Sequence, residues 1–372
     1  MANSVLLISH GFQPSYEKGF ANGLASNGVQ LELIASDRTL IADLCPEVRA
    51  LNLRGSQDPR RSNYQKAINM IRYAAALFRH IRRGRHEVVH LIGLSMTRNK
   101  FAGLVEWFAY RLLARRFFMT VHNLLPHNQH TSFNRWLYRM IYRLPDKLIV
   151  HTEKMKRGLC DQFGVDEGRV IVMPHGVDAP PKTLSVPEHA PELRILLFGG
   201  LSHYKGTDLF LASLKFCADI PMKIVIAGEC RDQAYKAQIE NLIAALPSNQ
   251  VVQWDKKFID ELEVGRYFET ADVVMLPYRH IDQSGVLFTA FRFGTPVIAS
   301  DVGSFRESLP GFAGMIVPEL TAESIAQTLR AFSVGKDHFD RWRIRQHAEA
   351  MVWPVTVRPV VDAYKVAMHF QN

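Results

Sequence analysis

Cysteine and long apolar runs are both scarce in this chain of 372 residues. Its four cysteines are scattered and form no CxxC pair, so the sequence predicts neither a zinc site nor a disulfide framework, and it favours a reducing compartment. No apolar run approaches the ~20 residues of a membrane-spanning helix, and the run at residues 5–8 is too short for a signal peptide. The composition, 47% hydrophobic and 22% charged, predicts a folded protein, and the length predicts two domains.

Acidic residues are scarce in one stretch of the chain. Residues 51–150 contain 18 Lys and Arg against 4 Asp and Glu, a net charge of +14, whereas the remaining residues carry −5. A basic surface this local is typical of proteins that meet an anionic partner, namely a membrane surface, a lipid diphosphate or a nucleic acid. The alternative is a solvated basic surface that only keeps the protein soluble.

Three basic helical patterns in this stretch also carry aromatic residues, at residues 63–85, 104–116 and 133–143. In the first, the predicted apolar face consists of Ile68, Ile71, Ala75, Phe78 and Ile81. Arginine beside tryptophan and tyrosine suits the headgroup layer of a membrane, although each single aromatic residue is also explained as part of a core. There is no helix-turn-helix, zinc or RNA-binding signature, so we expect no nucleic acid partner.

Short apolar strands alternate with helical patterns along the chain, which is typical of doubly wound α/β domains. The GxGxxG pattern of dinucleotide-binding domains is missing. A proline-rich segment without apolar periodicity, residues 178–193, separates two series of strands and helices. We therefore predict an N-terminal Rossmann-like domain at residues 1–180, a linker at 181–193 and a second Rossmann-like domain at 194–352, with a last helix at 353–370 packing back on the first domain.

In doubly wound domains, ligands lie at the carboxyl ends of the strands. His10 follows the first predicted strand, at residues 4–9, and His122 follows the strand at residues 117–121. An imidazole at such a position is a candidate acid, base or sugar-binding group, and His127 lies nearby in the sequence. For His10, a loop histidine bonded to the backbone is the alternative.

A strand, a polar loop, a helix and a second strand follow one another at residues 273–301. Ser284 is a natural N-cap for the helix, and Gly285 lets a ligand approach the backbone closely. The free amides and the dipole of such a helix start attract phosphate. We therefore predict that Gln283, Ser284 and Gly285 bind the diphosphate of a nucleotide sugar.

Four segments together resemble the family 4 glycosyltransferases, which have the GT-B architecture of two Rossmann-like domains facing across a cleft. These segments are TVHN at 120–123, VMPHGVD at 172–178, FGGLSHYKG at 198–206 and SGVLFTAFRFGTPVIASDVGS at 284–304. The resemblance covers nearly the whole chain. It implies transfer of a sugar from a nucleoside diphosphate sugar to an acceptor hydroxyl, without a metal ion or another cofactor.

The resemblance also implies donor-site residues. Family members bind the donor diphosphate with a lysine in a loop like SHYKG, here Lys205, with Gly199 and Gly200 beside it. The sequence departs from the family at three positions. Gly200 replaces an arginine that is often present, and Ile281 and Thr289 replace two glutamates, the second of which lies near the donor ribose. These departures leave open whether the transferred sugar retains or inverts its configuration.

If the configuration inverts, a side chain must accept the proton of the acceptor hydroxyl. His122 is the first candidate for this catalytic role, followed by His10 and Glu17, and with retention His122 would only bind the sugar. The basic helices suggest a lipid-linked or saccharide acceptor at the cytoplasmic face of a membrane with an anionic surface. A nucleotide-sugar epimerase with the same fold and a non-catalytic protein that binds a nucleotide sugar are the alternatives.

Overall fold

The computed structural model describes residues 4–11, 13–58, 60–84, 86–93, 100–125, 131–183 and 190–369. The predicted candidate His127 lies outside these ranges. The chain divides into two compact units, Met1–Gly176 with Met351–Asn372, and Val177–Ala350. The sequence predicted domain boundaries at residues 180 and 352. The boundaries between the two units follow residues 176 and 350, slightly earlier in the chain at both places.

The first unit is built on a seven-stranded parallel sheet with the strand order β3-β2-β1-β4-β5-β6-β7. Its strands are β1 (Ser4–Ile8), β2 (Gln30–Ile34), β3 (Val48–Leu51), β4 (Val88–Leu91), β5 (Arg116–Thr120), β6 (Lys147–Val150) and β7 (Val170–Val172). Most of the strand side chains are buried, because helices cover both faces of the sheet. The strand order reverses between β1 and β4, the place where doubly wound domains open a ligand crevice.

In the described ranges, five α-helices precede the second unit, and local signals explain where several of them begin. They are α1 (Pro14–Ser26), α2 (Asn63–Arg83), α3 (Lys100–Leu113), α4 (Ser132–Ile141) and α5 (Glu153–Phe163). A capping box between Ser62 and Gln65 starts α2, and capping threonines, Thr131 and Thr152, start α4 and α5. Helices α2 to α5 pack on one face of the sheet and α1 packs on the other.

The buried face of α2 differs from the predicted one. Tyr73, Leu77 and Ile81 are its buried residues, whereas Ile71 is 70% exposed and Ala75 is also exposed. The prediction included Ile71 and Ala75 and left out Tyr73 and Leu77. The aromatic ring of Tyr73 supplies much of the apolar area on this face, so the stripe is rotated about the helix axis relative to the prediction.

The second unit repeats the same architecture with a six-stranded parallel sheet, in the order β10-β9-β8-β11-β12-β13. Its strands are β8 (Leu193–Phe198), β9 (Met222–Ala227), β10 (Gln250–Asp255), β11 (Val273–Leu276), β12 (Val297–Ser300) and β13 (Gly314–Val317). Its helices are α6 (Thr207–Ser213), α7 (Gln233–Ala244), α8 (Glu261–Thr270), α9 (Gly285–Arg292), α10 (Phe305–Ser308), α11 (Ala322–Gly335) and α12 (Arg341–Glu349). The strand order reverses between β8 and β11.

The chain returns to the first unit with two helices, α13 (Trp353–Thr356) and α14 (Arg358–His369). The sequence predicted one helix over residues 353–370. Pro359 explains the interruption, because proline has no amide hydrogen to donate to the preceding turn. Trp353 packs on α1 against Gly19 and Gly23, and a Cβ atom at Gly19 would lie 2.0 Å from the Trp353 Nε1 atom. Glycine on α1 is therefore what lets the returning segment dock.

Candidate functional site

Two loops meet where the strand order of the second unit reverses. One follows β8 and carries Lys205, and the other follows β11 and leads into α9. Because β8 and β11 are adjacent parallel strands, their carboxyl ends bring both loops to the same edge of the sheet. The residues predicted to contact a diphosphate therefore come from two loops at one edge.

The ammonium group of Lys205 lies in a desolvated place at this edge. Its Nζ atom donates a 3.3 Å hydrogen bond to the carbonyl of Phe198 and lies 5.8 Å from the centre of the Tyr278 ring. A small cavity beside it is lined by apolar side chains that include Leu197 and Met275. Burial lowers the pKa of Lys205 to about 8, and no carboxylate of the described residues pairs with it. A desolvated cation without a counter-ion is suited to hold an anion.

Tyr278 connects Lys205 to the start of α9. Its ring faces the lysine ammonium, and an interaction with the Ser284 side chain acts to lower the pKa of its hydroxyl, against the larger effect of burial. Ser284 occupies the predicted N-cap position, but its side chain bonds no amide of the helix, so the first amides of α9 lack the expected side-chain cap. Nearby, Gln283 Nε2 is buried and has no hydrogen-bond partner among the residues that the structure describes. The uncapped first turn and this amide both leave donors for an anionic ligand.

Arg279 holds the two loops together. Its backbone amide donates a 2.7 Å hydrogen bond to the Tyr204 carbonyl, and its guanidinium donates a 2.6 Å bond to the His203 carbonyl. Two further bonds of 2.9 and 2.7 Å join the guanidinium to Asp208, which also accepts a 2.8 Å bond from the Tyr235 hydroxyl. Burial acts to raise the pKa of Asp208, but the bonds from Arg279 and Tyr235 hold it below its usual value. No local sequence pattern predicts this ion pair, because 71 residues separate Arg279 from Asp208.

The glycines of the site differ in backbone conformation and in the space that a Cβ atom would have. Gly206 has a φ angle of +68°, and a Cβ atom there would lie 1.9 Å from a backbone carbonyl oxygen, so only glycine fits. Gly199 has a φ angle of +87°, and its Cβ atom would lie 2.9 Å from the lysine ammonium. Gly200 is exposed, with a carbonyl oxygen 3.6 Å from an added Cβ atom. At Gly285 an added Cβ atom would meet no heavy atom of the described chain within 4 Å, so open space lies before the helix.

The two positions where the resembled family has glutamates lie on either side of this helix start. Ile281 is half-buried, and a Cβ atom at Gly303 would lie 1.9 Å from its carbonyl oxygen, so the loop after β12 braces it. Thr289 lies one turn into α9, and its hydroxyl donates a 3.0 Å hydrogen bond to the Gly285 carbonyl. Neither side chain brings a negative charge to the edge of the sheet.

In the first unit, His122 lies just after the carboxyl end of β5 and is half-buried. Its Nε2 atom donates a 2.8 Å hydrogen bond to the Ile92 carbonyl, so the neutral ring carries its lone pair on Nδ1. Burial lowers the pKa of His122, which keeps the ring neutral at pH 7. The Tyr16 ring packs edge-on at 4.8 Å, and the His151 ring lies 5.4 Å away. The ring can accept a hydrogen bond from a hydroxyl, but the lowered pKa makes it a weak base.

His151 and His175 belong to the same group of rings, although neither was among the predicted site residues. Each ring centre lies 5.6 Å from that of Tyr16. His151 donates a 3.0 Å hydrogen bond from Nδ1 to the Met173 carbonyl, while its Nε2 atom is buried with no hydrogen-bond partner in the described ranges. The two histidines follow β6 and β7, so the rule that placed His122 at a strand end would have found them as well.

His10 is a buried residue whose two ring nitrogens are both occupied. Nδ1 lies 2.6 Å from the Tyr73 hydroxyl, and Nε2 lies 2.9 Å from Glu106 Oε1, which also accepts a 2.8 Å bond from Tyr110. The alternative of a backbone-bonded loop histidine is wrong, since these partners are side chains. His10 has a φ angle of +58°, a conformation that residues other than glycine rarely adopt. Its ring therefore anchors the loop after β1 in this arrangement.

Glu17 is also enclosed by hydrogen bonds. It is 1% exposed and accepts bonds from the hydroxyls of Ser9 and Thr39. The Ser9 hydroxyl in turn accepts a 3.0 Å bond from the amide of Gly11. Burial raises the pKa of Glu17. With both carboxylate oxygens engaged, Glu17 joins the loops after β1 and β2, and it would need to lose a partner before it could accept a substrate proton.

Two family models match the chain one after the other. The one described as Glycosyltransferase Family 4 matches residues 16–179, and the one described as Glycosyl transferases group 1 matches residues 192–333. Among curated proteins, a D-inositol 3-phosphate glycosyltransferase of Geodermatophilus obscurus is 29% identical over 60% of this chain and 53% of its own length. One of Kineococcus radiotolerans is 25% identical over 62% of this chain and 59% of its own length. The chain thus spans little more than half of these two relatives.

Solved structures resemble the chain over nearly its whole length. Sucrose-phosphate synthase from Thermosynechococcus elongatus has a TM-score of 0.76 and 18% sequence identity, covering 98% of both chains. The HepE protein of Anabaena, in complex with UDP and glucose, has a TM-score of 0.73 and 16% identity, covering 98% of this chain and 99% of its own. At these identities the likeness concerns the fold, and the predicted pair of Rossmann-like α/β domains is confirmed.

Proposed function

The chain belongs to glycosyltransferase family 4, and we propose that it transfers a sugar from a nucleoside diphosphate sugar to the hydroxyl group of an acceptor. One observation carries this proposal. At the carboxyl edge of the second sheet, the Lys205 ammonium lies 5.8 Å from the centre of the Tyr278 ring, and Tyr278 also interacts with Ser284, the residue before the helix start at Gly285, whose side chain caps no helix amide. A lysine and the amides of a helix start are groups with which proteins hold phosphates.

The donor site would act mainly on the leaving group. Negative charge grows on the diphosphate as its bond to the sugar breaks, and the Lys205 ammonium and the first amides of α9 would stabilise that charge. Because Lys205 is desolvated, its attraction to a diphosphate is stronger than that of an exposed lysine. The amide group of Gln283, which is buried without a partner among the described residues, would replace part of the binding that the family's arginine supplies at Gly200.

In the first unit we assign His122 the contact with a reacting or neighbouring hydroxyl. Its Nδ1 atom carries the lone pair, because Nε2 donates to the Ile92 carbonyl. In a retaining reaction this ring binds the sugar, and in an inverting one it also takes the acceptor proton. His10 and Glu17 have their polar atoms engaged by neighbouring side chains and would keep the loop after β1 in place.

Exposed apolar residues on two basic helices support an acceptor at a membrane. Each helix exposes three apolar side chains at spacings of three and four residues: Val105, Phe108 and Leu112 on α3, and Phe133, Trp136 and Met140 on α4. Exposed arginines, among them Arg111 and Arg139, accompany both stripes. Helices α3 and α4 pack on the same face of the first sheet. Such a surface suits the headgroup layer of an anionic membrane, so we propose a lipid-linked acceptor.

Other aromatic residues of these helices take no part in this surface. Trp107 and Tyr110 of α3, and Tyr142 directly after α4, are buried in the core of the first unit, which agrees with the alternative that single aromatic residues belong to a core. Within the described residues, no helix combines the length and the apolar character that crossing a bilayer requires.

A second class of acceptor is favoured by the curated relatives. Those named D-inositol 3-phosphate glycosyltransferase point to a small phosphorylated polyol. A lipid-linked diphosphate and a polyol phosphate share the phosphate that a basic first unit would attract. Transfer assays that offer each acceptor separately distinguish the two classes.

A thermal-shift panel of nucleoside diphosphates and their sugars tests the donor. We expect the diphosphates of one base to raise the melting temperature in proportion to their affinity, and the matching sugar to be transferred when an acceptor is added. Conversion of the donor sugar without any acceptor would identify an epimerase instead. Absence of both a ligand shift and turnover would contradict the proposal and favour a non-catalytic protein.

The variant Gly285→Ala is expected to change the affinity for the donor without lowering the stability of the fold. The added methyl meets no heavy atom of the described chain, so the melting temperature without ligand should stay unchanged or rise slightly. The methyl does occupy the space before the first helix amides, and we expect donor binding to weaken by about tenfold, the order of one lost charged hydrogen bond. Gly311→Ala, which also meets open space, is the matched control. Equal donor affinity in both variants would remove the helix start from the site.

A further inference from the structure

Three side chains with metal-binding atoms converge in the first unit, away from the carboxyl ends of the strands. Glu32 lies in the middle of β2, His80 in the last turn of α2, and His86 in the loop that leads into β4. His80 Nε2 lies 2.9 Å and His86 Nε2 lies 3.4 Å from the same carboxylate oxygen, Glu32 Oε2. The three ligand atoms all lie within 4.8 Å of one another.

The His86 ring is fixed so that Nε2 faces this carboxylate. Its side chain is 8% exposed, and its Nδ1 atom forms a 3.1 Å hydrogen bond with the Ser4 hydroxyl. Gly84 lets the ring lie against the backbone, since a Cβ atom there would be 2.7 Å from His86 Nε2. The Nε2 atom is buried and has no hydrogen-bond partner in the described part of the chain. A buried polar atom in this state requires a partner of another kind.

An ion pair between histidine and glutamate explains only part of this arrangement. His80 already pairs with Glu32 Oε2 at 2.9 Å, and Arg49 donates a 2.7 Å hydrogen bond to the other oxygen, Oε1. The carboxylate is thus paired at both oxygens. A separation of 3.4 Å leaves His86 Nε2 beyond the usual hydrogen-bond distance. The ion pair between His80 and Glu32 therefore does not explain why the His86 imidazole also faces this carboxylate.

We propose that Glu32, His80 and His86 bind one divalent transition-metal ion, with Zn²⁺ the best fit and water as a fourth ligand. Two imidazoles and one carboxylate are a common set of zinc ligands. With bonds of about 2.1 Å in tetrahedral geometry, neighbouring ligand atoms lie about 3.4 Å apart, close to the 2.9 and 3.4 Å that separate the two imidazole nitrogens from Glu32 Oε2. The Ser4 hydroxyl supplies the hydrogen bond that commonly orients a metal-binding imidazole.

Arg49 is the nearby charge that opposes a cation. Its side chain is 71% exposed, so solvent screens much of its repulsion. Its bond to Glu32 Oε1 leaves Oε2 directed at the two imidazoles, and outer oxygens of metal-binding carboxylates are commonly hydrogen-bonded in this way. A bound ion would tie β2 to the end of α2 and to the entry of β4. We therefore assign it a stabilising role in the first unit.

Metal titration of the full chain tests this site, with protein purified without a histidine tag and treated with EDTA. We expect one equivalent of Zn²⁺ to bind and to raise the melting temperature. One equivalent of Co²⁺ should give the visible absorption of a tetrahedral site. His80→Gln and His86→Gln should each weaken Zn²⁺ binding by at least about tenfold.

The matched control is His338→Gln, which changes an exposed imidazole of the second unit that is bonded to the Gly335 carbonyl. This variant should bind Zn²⁺ as the wild type does. Absence of stoichiometric binding by the wild type would overturn the proposal, and so would wild-type affinity in His80→Gln. If His86→Gln fails to fold, His80→Gln decides the outcome, because its ring is partly exposed and lies at a helix end.

Discussion

At the scale of single residues, the proposed donor site depends on the charge of one ammonium group. Desolvation lowers the pKa of Lys205 to about 8, whereas an exposed lysine stays charged up to a pH of about 10. The free protein therefore loses this charge within the pH range of ordinary assays. A bound diphosphate would restore it, because a nearby negative charge favours the protonated form.

We predict that donor binding weakens as the pH rises above 8. Only the charged form of Lys205 attracts the diphosphate, so the Kd of a nucleoside diphosphate sugar should rise by up to about tenfold per pH unit above that value. Isothermal titration between pH 6.5 and 9.5 measures this. Lys205→Arg keeps its charge over the whole range, so its profile should be flat. A flat profile in the wild type would show that Lys205 does not carry the binding.

At the scale of secondary structure elements, the docking of α13 on α1 depends on glycines that remove steric obstacles. Cβ atoms at Gly19 and Gly176 would lie 2.0 and 2.3 Å from atoms of the Trp353 indole. The indole ring centre also lies 5.0 Å from that of Tyr16, which belongs to the group of rings around His122. The returning segment thus packs directly beside the candidate site of the first unit.

We predict that Gly19→Ala destabilises the protein. The added methyl overlaps the Trp353 indole, and overpacking of this kind costs about 1–3 kcal/mol, more than the gain in helix propensity from alanine. Thermal unfolding followed by circular dichroism measures the loss. Gly285→Ala is the matched control, because it makes the same substitution in a helix without a steric overlap. Equal melting temperatures for the two variants would mean that α13 does not dock as described.

At the scale of the whole molecule, charge is distributed unequally along the chain. The window of residues 51–150, all in the first unit, carries +14, while the remaining residues carry −5. The exposed arginines Arg79, Arg82 and Arg83 lie at the end of α2, and α2 packs against α3, the helix that carries an exposed apolar stripe. Basic charge and exposed apolar area therefore occur on neighbouring helices of one unit.

We predict that changing Arg79, Arg82 and Arg83 to glutamine weakens binding to vesicles that contain phosphatidylglycerol. Each basic residue near an anionic surface contributes about 1 kcal/mol, so partitioning at low salt should fall by on the order of 100-fold. Co-sedimentation with anionic and with neutral vesicles measures it.

The control for this prediction removes three exposed charges from the second unit, at Lys215, Lys223 and Lys256. The control variant should keep the wild-type affinity for anionic vesicles. Equal losses in both variants would attribute the binding to net charge alone, and no loss in the arginine variant would exclude this face as the membrane surface.

Much of the fold could be predicted from the sequence, because its signals are local. The strand at residues 273–276 and the helix that begins after Ser284 lie where apolar runs and turn residues predicted them. The predictions that the structure corrects concern side-chain contacts between residues that are distant in the sequence. Ser284 lies at the predicted N-cap position but its side chain bonds no helix amide, and the buried face of α2 presents Tyr73, whose hydroxyl lies 2.6 Å from His10 Nδ1. His151 and His175 were missed although they follow strands.

The sequence by itself determined that this chain forms two doubly wound domains of a glycosyltransferase family, since periodicity and the four matching segments lie within short stretches of chain. The tertiary structure alone decided which of these residues meet. Arg279 and Asp208 pair across 71 residues, and His80 and Glu32 across 48, because the sheet order brings them together. The lowered pKa of Lys205 also depends on the tertiary structure. It results from desolvation by all the groups that pack around the ammonium, and the local sequence does not predict which groups these are.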